Sequence, residues 1–191
     1  MITGSHNSWS YLKPRRWWLR PFAFMAKCQS VDIRTQYERF GVRCFDLRIR
    51  YKDDCVQVAH GAMVYDISGA ELVSQLRWMN EKGDCYVRLI HEVRTRKQYT
   101  EKAVENFRSA CEAVERNYPN IRFWCGRNLY NWQKDYDFGK DPTCYEDYSS
   151  VSKPRWIDDW WPWLYAKFHN RKIREQGTTD DILLIDYVNI K

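Results

Sequence analysis

A chain of 191 residues can bury one substantial core, yet it is shorter than the roughly 200 to 250 residues usual for a (β/α)8 barrel, so one domain over residues 1–191 is expected. Its 31 Lys and Arg against 25 Asp and Glu give a net charge of +6, which favours an anionic partner without separating nucleic acid, acidic membrane and phosphorylated small molecules. As written, the sequence lacks the run of about 18 apolar residues that a transmembrane helix needs and a basic-then-apolar export signal, which points to a cytoplasmic or peripheral membrane location, with secretion open if a leader precedes Met1.

Ten Trp and thirteen Tyr suit membrane interfaces, sugar sites and ordinary cores alike. Seven Cys without a close CxxC pair read as reduced, buried thiols and not as a disulfide framework or zinc site.

In chain order, Ile2 to Ser5 has strand length, and Ile33, Tyr37 and Phe40 then mark one face of a helix. Val42 to Ile49, Val56 to His60 and Cys85 to His91 read as strands; Val104, Phe107, Cys111 and Val114 mark a second helical face, followed by a strand at Ile121 to Cys125. Tyr130 to Pro154, broken by Gly139 and Pro142, reads as a long loop; a helix is expected from about Trp156 to His169 and a last strand over Ile182 to Val188. Strands alternating with helices predict an α/β fold of parallel units, without an internal repeat or linker. The expected architecture is a compact TIM-type (β/α) barrel, single-domain, its small size leaving room for irregularity.

Side-chain parity gives the first functional argument, because the outer face of a parallel barrel must be apolar to receive helices. In VRCFDLRI that face takes Phe45, Leu47 and Ile49, leaving Asp46 and Arg48 to point inward with Cys44. Opposite charges there are costly unless they pair or perform chemistry. His6, His60 and Asp186 each end an apolar run, and a (β/α) barrel builds its active site at the C-terminal ends of its strands. Arg88 and Glu92, inward by parity beside Ile90, are candidate substrate contacts; His91, on the outward parity, is expected to pack.

The segment RRWWLRPFAF at Arg15 to Phe24 mixes cations with Trp17, Trp18 and Phe22, which suits either an anchor on an anionic bilayer or a lid packed on the barrel. WIDDWWPWLY at Trp156 to Tyr165 reads as core and rim, since Asp158 and Asp159 would oppose anionic lipid.

Four blocks, ITGSHNSWSYL from Ile2, CQSVDIRTQYERFGVRCFDLRIR from Cys28, VAHG from Val58 and DILLIDYVN from Asp181, resemble the X-region of phosphatidylinositol-specific phospholipase C of the bacterial, metal-independent type, and occur in its order. The resemblance implies cleavage of an inositol phospholipid at a membrane surface, with no nucleic acid partner. It makes His6 the general base toward the inositol 2-hydroxyl, Asp186 its orienting carboxylate, Arg48 the stabiliser of phosphate charge and His60 the acid that protonates the diacylglycerol oxygen, giving a cyclic inositol phosphate. Two departures stand out. Asn7 occupies a position where bacterial members carry Asp, so Asp46 is the candidate partner of His60 or of Arg48. Arg48 and Ile90 fall where calcium-dependent animal members place acidic ligands, which leaves Asn7 and Asp46 too few for a hard cation and implies a reaction without metal or cofactor. The same residues admit a phosphodiesterase acting on glycerophosphodiesters or RNA, or a lipid-binding barrel without turnover.

Overall fold

The computed structural model describes residues 1–52, 54–93, 95–127, 145–149, 161–176 and 182–190. Its strands are β1 (Ile2–Ser5), β2 (Cys44–Lys52), β3 (Cys55–His60), β4 (Met63–Val64), β5 (Tyr86–His91), β6 (Arg122–Arg127), β7 (Tyr145–Tyr148) and β8 (Ile182–Ile185), and its helices are α1 (Ile33–Phe40), α2 (Gly69–Lys82), α3 (Glu101–Asn117) and α4 (Pro162–Gln176). Six strands run parallel in the order β6-β5-β2-β1-β8-β7. This is the expected mixed α/β architecture; among the described residues no ladder joins β6 to β7.

Local chemistry accounts for the helix ends. Asp32, Ser68 and Thr100 precede α1, α2 and α3, and each side chain accepts the backbone N–H of the residue three positions on, satisfying one of the donors that a helix start leaves open. Gly41 and Gly83 close α1 and α2 at φ +66° and +75°, a left-handed conformation that glycine adopts without Cβ strain. The expected faces of α1 and α3 are present, with Ile33 buried on one and Phe107, Cys111 and Val114 on the other. Helix α2 adds an unexpected third, burying Leu72 and Met79.

Three expectations need correction. Tyr145–Tyr148 is a strand paired with β8, inside the stretch read as loop; the rest of that stretch lies outside the described residues except for Ser149. Helix α4 starts at Pro162, where proline's missing N–H costs nothing in the first helical turn, and runs to Gln176, beyond the expected end at His169; residues 156–160 lie outside the described residues. Strand β3 is antiparallel to β2, so His60 does not end a parallel barrel strand.

The parity of β2 is as expected and divides the core in two. Phe45, Leu47 and Ile49 join Val87, Leu89, Phe123, Leu183 and Ile185 in the large cluster packed against the helices. Cys44 turns the other way, into a small cluster with Trp124, Ile182 and Leu184. Gly4 belongs to this crowded interior: a Cβ there would collide with Leu184 Cδ2 and lie 3.2 Å from Cys44 Cβ. Only the absence of a side chain lets β1 run between β2 and β8 at this level.

The β2–β3 hairpin then positions the second histidine. Ile49 pairs with His91 of β5 on one edge and with Val58 of β3 on the other. Strand β3 therefore occupies the same edge of β2 as β1, above the point where β1 ends. Running antiparallel, β3 descends toward that end and delivers His60 beside His6.

Candidate functional site

His6 and Asp186 follow directly on two adjacent parallel strands, whose last paired residues are Ser5 and Ile185. In-register strands place the next residues side by side, and His6 Nδ1 lies 2.7 Å from Asp186 Oδ1. The backbone holds the pair: His6 N–H donates to the Ile185 carbonyl at 3.0 Å, while buried Gln29 donates from Nε2 to the carbonyls of His6 and Ile185 and accepts the Val188 N–H on Oε1. Gln29 escaped the sequence analysis because only the fold brings it between the two chain ends.

Arg48 stands on the other side of the His6 ring. Its Nε donates to Asp46 Oδ2 at 2.9 Å, its Nη1 to Glu92 Oε2 at 3.3 Å, and its Nη2 lies 2.6 Å from His6 Nε2. That last contact fits a neutral ring donating Nδ1–H to Asp186 and accepting on Nε2. Burial, the largest influence, and Arg48 disfavour charge on His6, but the carboxylates of Asp186 and Asp147 together with the hydrogen bond to Asp186 leave its pKa raised. Position Nε2 is thus basic and faces a guanidinium that a phosphate could draw away.

The structure gives Asp46 to Arg48 and not to His60. Burial would raise its pKa, but Arg48, Arg88 and His6 hold it well below the usual carboxylate range, and the Asn7 N–H donates to its Oδ2 at 2.9 Å. A depressed carboxylate stabilises the fold above its unfolded pKa near 3.8 and loses that contribution as pH falls toward the folded value. Unfolding midpoints are therefore expected to be insensitive to Asp46 between pH 5 and 7 and to drop below about pH 4; urea titrations of Asp46→Asn should lack that portion of the acid limb.

Glu92 makes the link between Arg48 and His60, since its Oε1 accepts the Gly61 N–H at 2.9 Å. The His60 ring lies edge-on to His6 with centroids 5.9 Å apart. Its Nδ1 is 2.8 Å from the Ala26 carbonyl, an acceptor, so Nδ1 carries the proton and Nε2 is the bare nitrogen of the neutral ring. Burial and then the Arg48 charge push His60 down to about 4, against the upward pull of Glu92.

Arg88 lies between Asp46 at 3.6 Å and Asp147 at 3.9 Å. Asp147 was not expected, because it falls in the stretch read as loop. His6, Arg48, His60, Asp186, Asp46, Arg88 and Glu92 thus converge. Asn7 lies among them at φ +44°, but its buried side-chain amide has no hydrogen-bond partner among the described residues. His91 stacks on Phe107 with centroids 4.7 Å apart, in keeping with the packing expected of it.

Trp17 and Trp18 lie apart from this centre, 71% and 52% exposed on a 3₁₀ segment, Trp17–Met25. Phe22, Phe24 and Met25 of the same segment are exposed too. Phe24 meets Trp161 at 5.3 Å, and Trp161 meets Trp163 at 6.1 Å. Trp161 and Trp163 are exposed, so this part of the stretch read as core and rim extends the aromatic surface, while Tyr165 alone of the three is buried. The residue capping the segment is Ala26, the one whose carbonyl holds His60. Among the described residues no helix is long and apolar enough to cross a membrane.

No family model matches the chain, and no curated protein matches it. Among solved structures, the phosphatidylinositol-specific phospholipase C from Listeria monocytogenes matches with a TM-score of 0.64, over 97% of this chain and 87% of that one, at 13% identity. The two proteins share a fold. The phospholipase-like fold agrees with the architecture expected from the four sequence blocks, and at this identity the likeness concerns backbone, leaving chemistry to the side chains.

Proposed function

We propose that the protein is a metal-independent phosphodiesterase that cleaves an inositol phospholipid at an anionic membrane surface. The observation that carries the reading is the His6 ring held between Asp186 and Arg48 with a second histidine 5.9 Å away. On the incoming phosphodiester, Arg48 turns from His6 Nε2 to a non-bridging oxygen and stabilises the charge that grows there. His6 Nε2, now free, takes the proton of the inositol 2-hydroxyl, and Asp186 stabilises the imidazolium. The 2-oxygen bonds to phosphorus, the bond to the diacylglycerol oxygen breaks, and a proton from His60 Nε2 goes to that oxygen. The products are diacylglycerol and a cyclic inositol phosphate.

His60 is neutral near pH 7 in the free protein, with its pKa at about 4, so its role as acid depends on the phosphate anion raising it on binding. Glu92 supplies the standing upward pull in place of the carboxylate that Asn7 lacks. Glu92→Gln is accordingly expected to shift the alkaline limb of the kcat–pH profile to lower pH, because losing a negative charge beside His60 makes its cation harder to hold. An unmoved limb would remove Glu92 from this role.

The exposed aromatics and the neighbouring cations Arg16 and Arg20 support a membrane contact. Replacing Trp17 and Trp18 with Ala is expected to weaken sedimentation with anionic vesicles while sparing cleavage of a soluble short-chain substrate. Equal loss on both would mark the segment as packing.

A panel of phosphatidylinositol, other phospholipids, glycerophosphodiesters and RNA, assayed with EDTA, tests the proposal. Turnover of phosphatidylinositol alone is expected. Cleavage of RNA or of glycerophosphodiesters would assign the two histidines to another substrate, and lipid binding without turnover would make the chain a binding protein.

A further inference from the structure

Cys28 takes no part in the mechanism above, yet its thiol lies within it. The residue is fully buried. One donor atom each from Cys28, His6 and Asp186 lie within 4.8 Å of one another, and Cys28 Sγ is 3.9 Å from His60 Nδ1. A sulfur, an imidazole nitrogen and a carboxylate oxygen converge here from three separate parts of the chain, donor types that soft metal ions take in tetrahedral sites.

We propose that this cluster binds a thiophilic divalent cation, such as zinc, cobalt or cadmium, and that the ion inhibits the protein. The identity of the donors selects the metal class, since a thiolate favours these ions over calcium or magnesium. Bonds of about 2.0 to 2.3 Å place tetrahedral ligand atoms roughly 3.3 to 3.7 Å apart, so donors at the 4.8 Å limit need to draw in by at most about 1.5 Å, while His6 Nδ1 and Asp186 Oδ1, 2.7 Å apart, open by about 0.6 Å or more. Charge balances within the cluster: the Cys28 S–H bond gives up its proton to solvent, the His6 Nδ1 proton passes to Nε2 as Nδ1 takes the ion and Arg48 turns away from Nε2, and thiolate, carboxylate and neutral imidazole together offset the two positive charges, as a buried ion requires. The nearest standing cation, Arg48, is itself offset by Asp46 and Glu92. The fourth position falls to water. With His6 and Asp186 as ligands, the ring can no longer accept a proton from a substrate.

The proposal depends on the catalytic reading only for its inhibitory part, because binding can be measured without substrate. Chelator-stripped protein is titrated with Co²⁺ in the near ultraviolet, where a cobalt–thiolate bond absorbs, with exposed Cys55 replaced by Ser throughout. A 1:1 thiolate band is expected, absent from Cys28→Ala and, as a second variant, from Cys28→Ser, both of which should fold and retain basal turnover. Zn²⁺ is expected to inhibit the parent, EDTA to reverse it, and Cys28→Ala to need at least tenfold more Zn²⁺ for the same inhibition. No band in the parent, or a band that survives both substitutions in folded protein, overturns the site. A band with equal Zn²⁺ sensitivity in parent and Cys28→Ala overturns the inhibition. A band in a protein that cleaves nothing leaves the site standing and defeats the phosphodiesterase reading instead.

Discussion

Replacing His6 with alanine is expected to lower phosphodiester cleavage by about 10²- to 10⁴-fold, the range a single general acid or base contributes, and His60→Ala should do the same. The first loss is the firmer expectation, because His6 has both partners in place: Asp186 lies 2.7 Å from Nδ1 and Arg48, the proposed phosphate contact, lies 2.6 Å from Nε2. The two effects should not multiply, since proton removal and proton delivery serve one displacement. Circular dichroism and thermal melting separate chemistry from folding. His6 is buried and hydrogen-bonded, so His6→Asn, which retains a donor of shorter reach, should accompany the alanine variant. Near-parental turnover by folded His6→Ala or His60→Ala would end the two-histidine mechanism.

Arg48 should show the other large effect, and on two axes. Arg48→Ala leaves Asp46 and Glu92 buried without their shared cation, a loss of about 3 to 5 kcal/mol for breaking a buried pair, and also deletes the charge opposite the phosphate. Arg48→Lys keeps a positive charge, so much of the stability should return. Activity should not, because one ammonium cannot address Asp46, Glu92 and a phosphate oxygen as the planar guanidinium does. Urea unfolding and steady-state kinetics on both variants give the comparison. If lysine restores turnover as fully as stability, Arg48 is a structural cation only.

The sequence made the interior of β2 legible because alternation is strict: once Phe45, Leu47 and Ile49 must meet helices, Asp46 and Arg48 have only the mouth left to occupy. His6 and Asp186 were readable for the same reason, each placed one residue past a short apolar strand. The path of β3 was not readable, since VQVAH has strand composition in either direction and only the pairing of Ile49 on both edges fixes the hairpin. Asp147 lay hidden in a polar stretch whose strand is a mere four residues long. Gln29, Cys28 and the service of Glu92 to both Arg48 and Gly61 depend on contacts between residues distant in the chain, which no local pattern encodes. The exposure of Trp161 and Trp163 was missed because aromatic residues near a helix start look the same whether they face a core or solvent.

Phosphorus NMR of phosphatidylinositol incubated with the protein and EDTA tests the central claim most directly. Attack by the 2-hydroxyl with His6 as base predicts that the lipid resonance is replaced first by that of a five-membered cyclic inositol phosphate, and that His6→Ala abolishes the change. An acyclic phosphate formed from the outset would mean that water, not the inositol hydroxyl, attacks phosphorus; cleavage that appears only when calcium is supplied would contradict the role given to Arg48.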